Sequence, residues 1–376
     1  MARSAAGVKI LHTADVHLGA PFKSLGDRGH EQRMQLRTTL GRVAQLAIDE
    51  RVDAMVIAGD LFDGDRPVSS LVAAARQTLR PLIDASIPLV ILPGTHDFAA
   101  GSSLWRDIGE WATVLNHDRP TLSLPAHGAT IHALIGPTRT MAGSPFASMS
   151  RDDAPIQIGI GHGSLHIPNL VEEDDTLFRD ADIAASGLNY LALGHWHGFQ
   201  TRRVRETKVC YPGSPELIAT DQIGSGFVAL ATLAAGKPAQ VDQRKVGRRR
   251  FARHDIAVDG FDSTTALLKA IETHADPDLV CEIRLTGHWA DTLLASETEI
   301  QRELGGRFFH LRVRDAARPR QADIDPTTFS EATVIGRTAR SLAERAAAAS
   351  TDDERRTVDE ALRLAVGVLR GEDVGA

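Results

Sequence analysis

Ala54-Met55-Val56-Ile57-Ala58-Gly59-Asp60-Leu61-Phe62-Asp63 is the stretch on which the fold of this chain turns. Five apolar residues suit a buried strand, and Gly59 followed by Asp60 stops that strand with a carboxylate. Open α/β proteins gather such strand ends at one rim of the sheet, where their sites are built. The same pattern recurs upstream at Asp15-Val16-His17. Downstream it recurs at Gly94-Thr95-His96-Asp97, Gly161-His162-Gly163 and Gly194-His195-Trp196-His197. A lone Asp-x-His or Gly-His means little, because His often satisfies a core hydrogen bond and Asp often sits in a turn. Five in order, each after a strand-like run, are hard to assemble by accident.

Helical spacing follows the first two runs. Leu36, Leu40, Val43, Ala44 and Ala47 share a face after the strand at 8–14, and Leu71, Val72, Ala75, Leu79 and Leu82 do so after 54–58. Strand alternating with helix predicts a layered α/β fold. From residue 130 strands dominate, at 131–135, 156–160, 190–193, 209–211 and 227–233, and they are expected to form a second sheet packed on the first. Beyond a turn at 234–238 and the basic run 244–253, a strand through Val258, a helix at 266–273, a strand at 279–285, a helix ending at Leu304 and a strand at 308–313 suit a small α+β domain. After Pro319 the chain turns Ala- and Arg-rich. Val358, Leu362, Ala365, Val366 and Leu369 form an apolar helical stripe there, with Asp352 and Asp353 as capping candidates. The expected organisation is a two-sheet catalytic domain over 1–240, a small α+β capping domain over 250–318 and a helical tail over 319–376.

The length, 376 residues, fits such a division. A net charge of −7 gives no global positive field, so a polyanionic substrate would have to be met by local Arg clusters and bound cations. The run from Arg244 to Arg253 reads more readily as a solvated face than as a track for a nucleic-acid backbone. Cys210 and Cys281 are far apart and form no Cys-x-x-Cys pair, which argues against a disulfide framework and a thiolate zinc site and for a reducing cytoplasm. The first ten residues run into His12 and Asp15 too soon for a signal-peptide core, and no apolar run approaches a membrane span.

Asp and His in this arrangement suit divalent cations, since a carboxylate can bridge two ions while a neutral imidazole binds one. Asp15 and His17, two apart, share a side and can grip one ion, and Asp60 sits where it would bridge two. His197 would complete the first ion's shell, and His162 and His195 the second's. Two divalent ions roughly 3.5–4 Å apart lower the pKa of a shared water and offset charge on phosphoryl oxygens. His96 is expected to be a non-ligand that stabilises the transferring phosphoryl group or protonates the leaving oxygen, with a carboxylate fixing its tautomer. Asp63 and Asp97 are expected to orient a His or stabilise a turn.

The ordered set Asp-x-His, Gly-Asp-x-x-Asp, Gly-(Asn)-His-Asp, Gly-His and Gly-His-x-His resembles the calcineurin-like metallophosphoesterase superfamily. Within it, the stretches from His12 to Phe22, Gly59 to Asp63, Tyr190 to His197 and Tyr211-Pro212-Gly213-Ser214-Pro215-Glu216 are similar to the bacterial DNA repair exonuclease of the SbcD type, especially its YhaO-like branch. The likeness spans about residues 8–233. It implies a manganese-dependent nuclease acting on DNA ends and hairpins, commonly dimeric, with a capping domain and a helical tail docking on an SMC-like coiled-coil ATPase. It also implies a second-ion shell of Asp60, residue 95, His162 and His195. The family has Asn at that position, where this chain has Thr95, a shorter and poorer neutral donor. Thr95 is expected to lie against the second ion directly or through water. Ligand types alone admit Fe2+ or Zn2+ as well as Mn2+.

The expected function is hydrolysis of DNA phosphodiester bonds through a two-metal-activated water. Two other readings compete. One is a phosphodiesterase for small nucleotides or phosphate esters, mildly favoured by the acidic balance; the other is a weakly catalytic DNA-end-binding subunit of an ATPase complex, motivated by Thr95.

Overall fold

The computed structural model describes residues 7–98, 104–136, 144–147, 149–289, 295–319 and 324–371. Strands β1 (Gly7–Thr13), β2 (Ala54–Ala58), β3 (Leu89–Leu92) and β4 (Thr113–Val114) run parallel to one another. With β13 (Phe227–Ala234) and β14 (Gln240–Lys245) they form a six-stranded sheet in the order β14-β13-β1-β2-β3-β4. The second six-stranded sheet has the order β11-β12-β10-β7-β6-β5. Its strands are β5 (Thr121–Leu124), β6 (Ala129–Leu134), β7 (Ile156–His162), β10 (Tyr190–Gly194), β11 (Gln200–Val204) and β12 (Thr207–Tyr211). The short strands β8 (Ser164–Leu165) and β9 (Leu177–Phe178) pair in parallel beside it.

One expectation fails here. The run 227–233 does not join the second sheet but returns to the first, antiparallel to β1, with Val8 opposite Leu233 and Leu11 opposite Leu230. An apolar strand suits either sheet's interior, and what decides is that β1 has an unpaired edge needing backbone partners.

Period-two alternation explains why the central strands are apolar on both faces. Ala54, Val56 and Ala58 join the cluster shared with Ile131, Ile158, Ile160 and Tyr190 of the second sheet. Met55 and Ile57 join the cluster containing Leu36, Leu40 and Val43 of α1 (Gly29–Asp49) and Ala75, Leu79 and Leu82 of α2 (Ser69–Asp84). His12 lies on the inter-sheet face, and its Nδ1 is 2.9 Å from the Tyr190 hydroxyl. Helix α3 (Leu104–Ile108) adds Trp105 to the first cluster, and α4 (Asp180–Ser186) packs Ile183 on the outer face of the second sheet.

Contacts divide the chain into two compact units. One comprises Met1–His254, Glu272–Ile283 and Ile300–Val313, and the other Asp255–Ile271, Arg284–Glu299 and Arg314–Ala376. Strands β15 (Arg250–Ala257), β16 (Leu279–Thr286) and β18 (His310–Asp315) form a three-stranded sheet in that order, and α6 (Glu297–Leu304) precedes β18. The second unit holds α5 (Thr264–Glu272) except its last residue, and a two-stranded parallel pair of β17 (His288–Trp289) with β19 (Arg318–Pro319). It also holds a hairpin of α7 (Val334–Ala347) and α8 (Asp352–Arg370), in which Ala339, Leu362 and Val366 are buried. The cap of α8 is Thr351, whose side chain accepts from Glu354 N, rather than Asp352 or Asp353. Both follow the cap in the first turn, where the helix dipole favours the negative charge of Asp353.

Most of the basic run is an exposed face, as expected, but its arginines face carboxylates of the same chain and Arg249 is buried. Arg248 and Arg249 pair with Asp278, Arg249 also with Glu31, Arg250 with Asp276 and Arg253 with Glu282. Arg249 is buried, with its guanidinium 3.7 Å from the Phe309 ring centroid.

Candidate metal centre

Register places the candidate residues together. Thr13 lies opposite Ile57 and Ala58 opposite Leu92 in the first sheet, so Asp15, Asp60 and His96 leave adjacent strands. In the second sheet Gly194 lies opposite His162. Among the described residues three overlapping groups result, each with potential ligand atoms within 4.8 Å of one another: Asp15, His17 and His197; His17, Asp60 and His96; and Asp15, Asp60 and His162.

The backbone is bent out of its ordinary range at these positions. Asp15, His17, Asp60 and His195 have φ of 52°, 49°, 52° and 108°. Such values are uncommon for residues with a Cβ, cost about 1–3 kcal/mol each and cluster at functional sites. The loops hold one another in these conformations: Asp15 N donates to Gly59 O, His17 N to Asp60 O, and His195 N to the Asp15 carboxylate at 3.0 Å. Gly94 is required for clearance, because a Cβ there would lie 2.2 Å from Asp60 Oδ1; at Gly59 it would lie 2.0 Å from His162 Nδ1.

Asp60 is the centre of the arrangement. Its Oδ1 accepts from His96 N at 2.9 Å, while Oδ2 lies 3.7 Å from His17 Nε2 and 3.2 Å from His162 Nε2. Both of those imidazole nitrogens are buried without a hydrogen bond of acceptable geometry. Burial opposes charge on the His162 ring, yet Asp15 and Asp60 beside it hold its pKa above the usual imidazole range. A pocket that attracts protons onto imidazole and leaves ring nitrogens unpartnered around a carboxylate fits cations well.

The nitrogens turned away from this centre are anchored. His17 Nδ1 is 3.1 Å from Asp63 Oδ1 and His162 Nδ1 is 2.9 Å from Ala58 O. His197 Nδ1 meets Gln222 Nε2, while Gln222 Oε1 is buried without a hydrogen-bond partner; turning the amide over would let Oε1 accept the Nδ1 proton. Asp63 therefore has the His-orienting place expected of it. Asp97 does not orient His96: it is buried and accepts from Phe62 N at 3.0 Å and Gly94 N at 2.8 Å, tying two of the site's loops together. Burial lifts its carboxyl to about 6 despite those two donors.

His96 is exposed and lies edge-on to His17, with ring centroids 4.7 Å apart. Thr95 is exposed in the turn before it. His195 lies outside the three groups, but its ring is 5.3 Å from that of His162. Behind the His loops, Trp196 stacks on Tyr211 at 5.1 Å and donates to Ser164 Oγ, and Tyr211 OH donates to Gly163 O at 2.8 Å. Gln222 and Asp174, which reach His197 and His195, carry no signal in the sequence, because both sit in polar loops without periodicity.

Parallel strand ends converging on clustered Asp and His define a metallophosphoesterase, and the chain belongs to the calcineurin-like phosphoesterase family, whose model matches residues 8–199. Among its relatives, an uncharacterized metallophosphoesterase YhaO of Bacillus subtilis is 28% identical over 55% of this chain and 52% of its own length. The DNA double-strand break repair protein Mre11 of Halobacterium salinarum is 25% identical over 77% of this chain and 73% of its own. This chain thus spans from about half to about three quarters of the length of these two relatives. A solved calcineurin-like phosphoesterase, YfkN of Bacillus subtilis, is 12% identical at a TM-score of 0.42, covering 65% of this chain and 92% of that one. Among the described residues no helix is long and apolar enough to cross a membrane.

Proposed function

We propose that this hydrolase is a two-metal DNA nuclease that cleaves phosphodiester bonds at DNA ends or hairpins in repair. The observation that carries the binuclear part is Asp60, whose Oδ2 faces the unpartnered Nε2 atoms of His17 and His162 from one carboxylate. Asp15, His17, Asp60 and His197 would hold the first cation; Asp60, Thr95, His162 and His195 the second. Manganese is the preferred ion, with iron or zinc admitted by the same donors. When bound, the two ions supply the Lewis acidity that makes a shared water nucleophilic and offsets phosphoryl charge. His96, exposed beside His17, protonates the leaving oxygen. Asp63 and Ala58 O keep His17 and His162 in the ligating tautomer, and Gln222 would do the same for His197 with its amide oxygen turned to the ring.

DNA as substrate is supported by the names of two relatives, the double-strand break repair protein Mre11 and a component of the nuclease SbcCD of Bacillus subtilis. By the same analogy the reading includes an SMC-like coiled-coil ATPase partner, a homodimer, a cytoplasmic setting, and the division of the chain at about residues 240 and 318.

A second reading, a phosphodiesterase for small nucleotides or esters, is favoured by charge. The acidic segment Glu172–Asp175 reaches His195 through Asp174, while Arg249 is buried against Asp278 and the exposed Arg248, Arg250 and Arg253 each face a carboxylate of this chain. Turnover of hairpin DNA, bis-p-nitrophenyl phosphate and cyclic nucleotides under Mn2+ discriminates the two. A nuclease cleaves the hairpin, and loses that cleavage in His96→Ala while still binding manganese. Cleavage confined to the small esters would replace the first reading by the second, and no turnover of any substrate would leave only a binding subunit.

A further inference from the structure

The loop between β8 and β9 belongs to no motif, yet it brings a carboxylate to the site. Asp174 Oδ2 lies 3.1 Å from His195 Nε2, with 18% of the Asp174 side chain exposed. Its other oxygen accepts from Asp175 N at 2.6 Å, which holds the carboxylate in one orientation. Glu172 does not compete for the imidazole, because it is engaged by His166 Nε2 at 2.9 Å and Asn169 N at 2.7 Å.

The loop is also tied to the backbone of the site itself. Ser164 N donates to Thr176 O and His166 N to Phe178 O, each at 2.9 Å. Gly163, directly after His162, has φ +150°, and a Cβ there would meet Thr176 O at 2.3 Å. Asp174, two residues before Thr176, is thereby positioned by the same strand end that presents His162.

Each of the other three imidazoles has its outward nitrogen anchored, by Asp63, Ala58 O or Gln222. We propose that Asp174 is the positioning residue of His195. Its carboxylate accepts the Nε2 proton, fixes the tautomer and leaves Nδ1 as the donor toward the second cation. This rests on the binuclear reading given above. The need is greatest at the second cation, since Thr95 offers a poorer donor than the family's amide and more of the affinity falls to His162 and His195.

The test is Mn2+ titration of the full chain by calorimetry and low-temperature electron paramagnetic resonance, for the wild type, Asp174→Ala and Asp174→Asn. Wild type is expected to take up two ions with an exchange-coupled signal. Asp174→Ala should bind the first as before and the second roughly 10–100-fold more weakly, giving a six-line mononuclear spectrum at low loading. Asp174→Asn, whose amide oxygen still accepts the Nε2 proton, should stay within a few-fold of wild type. Undiminished second-ion affinity in Asp174→Ala, or equal losses in both variants, overturns the positioning role while leaving the binuclear reading intact. A wild-type chain binding one ion or none overturns both.

Discussion

Glu216 closes the Tyr211–Glu216 segment and should be among the most sensitive positions for stability. Its buried carboxylate accepts five hydrogen bonds. Leu217 N and Arg249 N reach Oε1 at 3.0 and 2.8 Å, while Thr39 Oγ1, Arg248 N and Gln35 Nε2 reach Oε2 at 2.7, 2.9 and 3.3 Å. Glu216→Gln keeps the shape and must turn an NH2 toward one of these sets. The better choice faces Oε2's partners, because the Thr39 hydroxyl can rotate and the Gln35 amide can flip, but Arg248 N cannot adjust. One buried donor left unpaired costs about 1–3 kcal/mol, and loss of the charge weakens the remaining bonds by a further 1 kcal/mol or so. The expected destabilisation is therefore about 3 kcal/mol, readable as a lower urea midpoint for the first unit's transition. A change under about 0.5 kcal/mol would refute the assignment of Glu216 as the tie between α1, this segment and the chain at Arg248.

Two further predictions concern His12 and Thr95. Burial drives the His12 imidazole down to about 3, against roughly 6.5 in an unfolded chain. A depressed value means the neutral ring's contribution is complete above about pH 6.5 and lost as pH falls toward 3, with a limiting slope of about 1.4 kcal/mol per unit. Urea unfolding at pH 7, 6 and 5 should show wild type losing about 2 kcal/mol more than His12→Gln over that span, and parallel profiles would contradict this. Thr95→Asn should tighten the second manganese ion on the order of tenfold in a calorimetric titration, as an amide carbonyl replaces a hydroxyl; unchanged affinity and rate would remove residue 95 from the site.

Asp60 is legible in the sequence because a five-residue apolar strand ending in Gly-Asp has few other meanings, and His162 and His195 follow from the same logic. Conformation is what the sequence does not reveal. Asp15, His17, Asp60 and His195 adopt left-handed φ where a local rule would expect Gly or Asn, and only the interlocking of the loops supports them. Nor does periodicity assign a strand to a sheet, so 227–233 reads like 190–193 although it pairs with β1. The Arg run reads as uncommitted because Asp276, Asp278 and Glu282 lie about thirty residues further on. Asp174 stands among four consecutive acids, with nothing local to set it apart.

The return of β13 to β1 bears on how the polypeptide should be cut for expression. A fragment ending at residue 199, where the family match stops, would carry Asp15, Asp60 and every histidine of the centre, yet it would lack the strand that hydrogen-bonds β1 from Gly7 to His12. That exposed edge invites pairing between molecules. Such a truncation would gather into aggregates in spite of holding all the proposed ligands, whereas one extended past Lys245 would keep β1 covered.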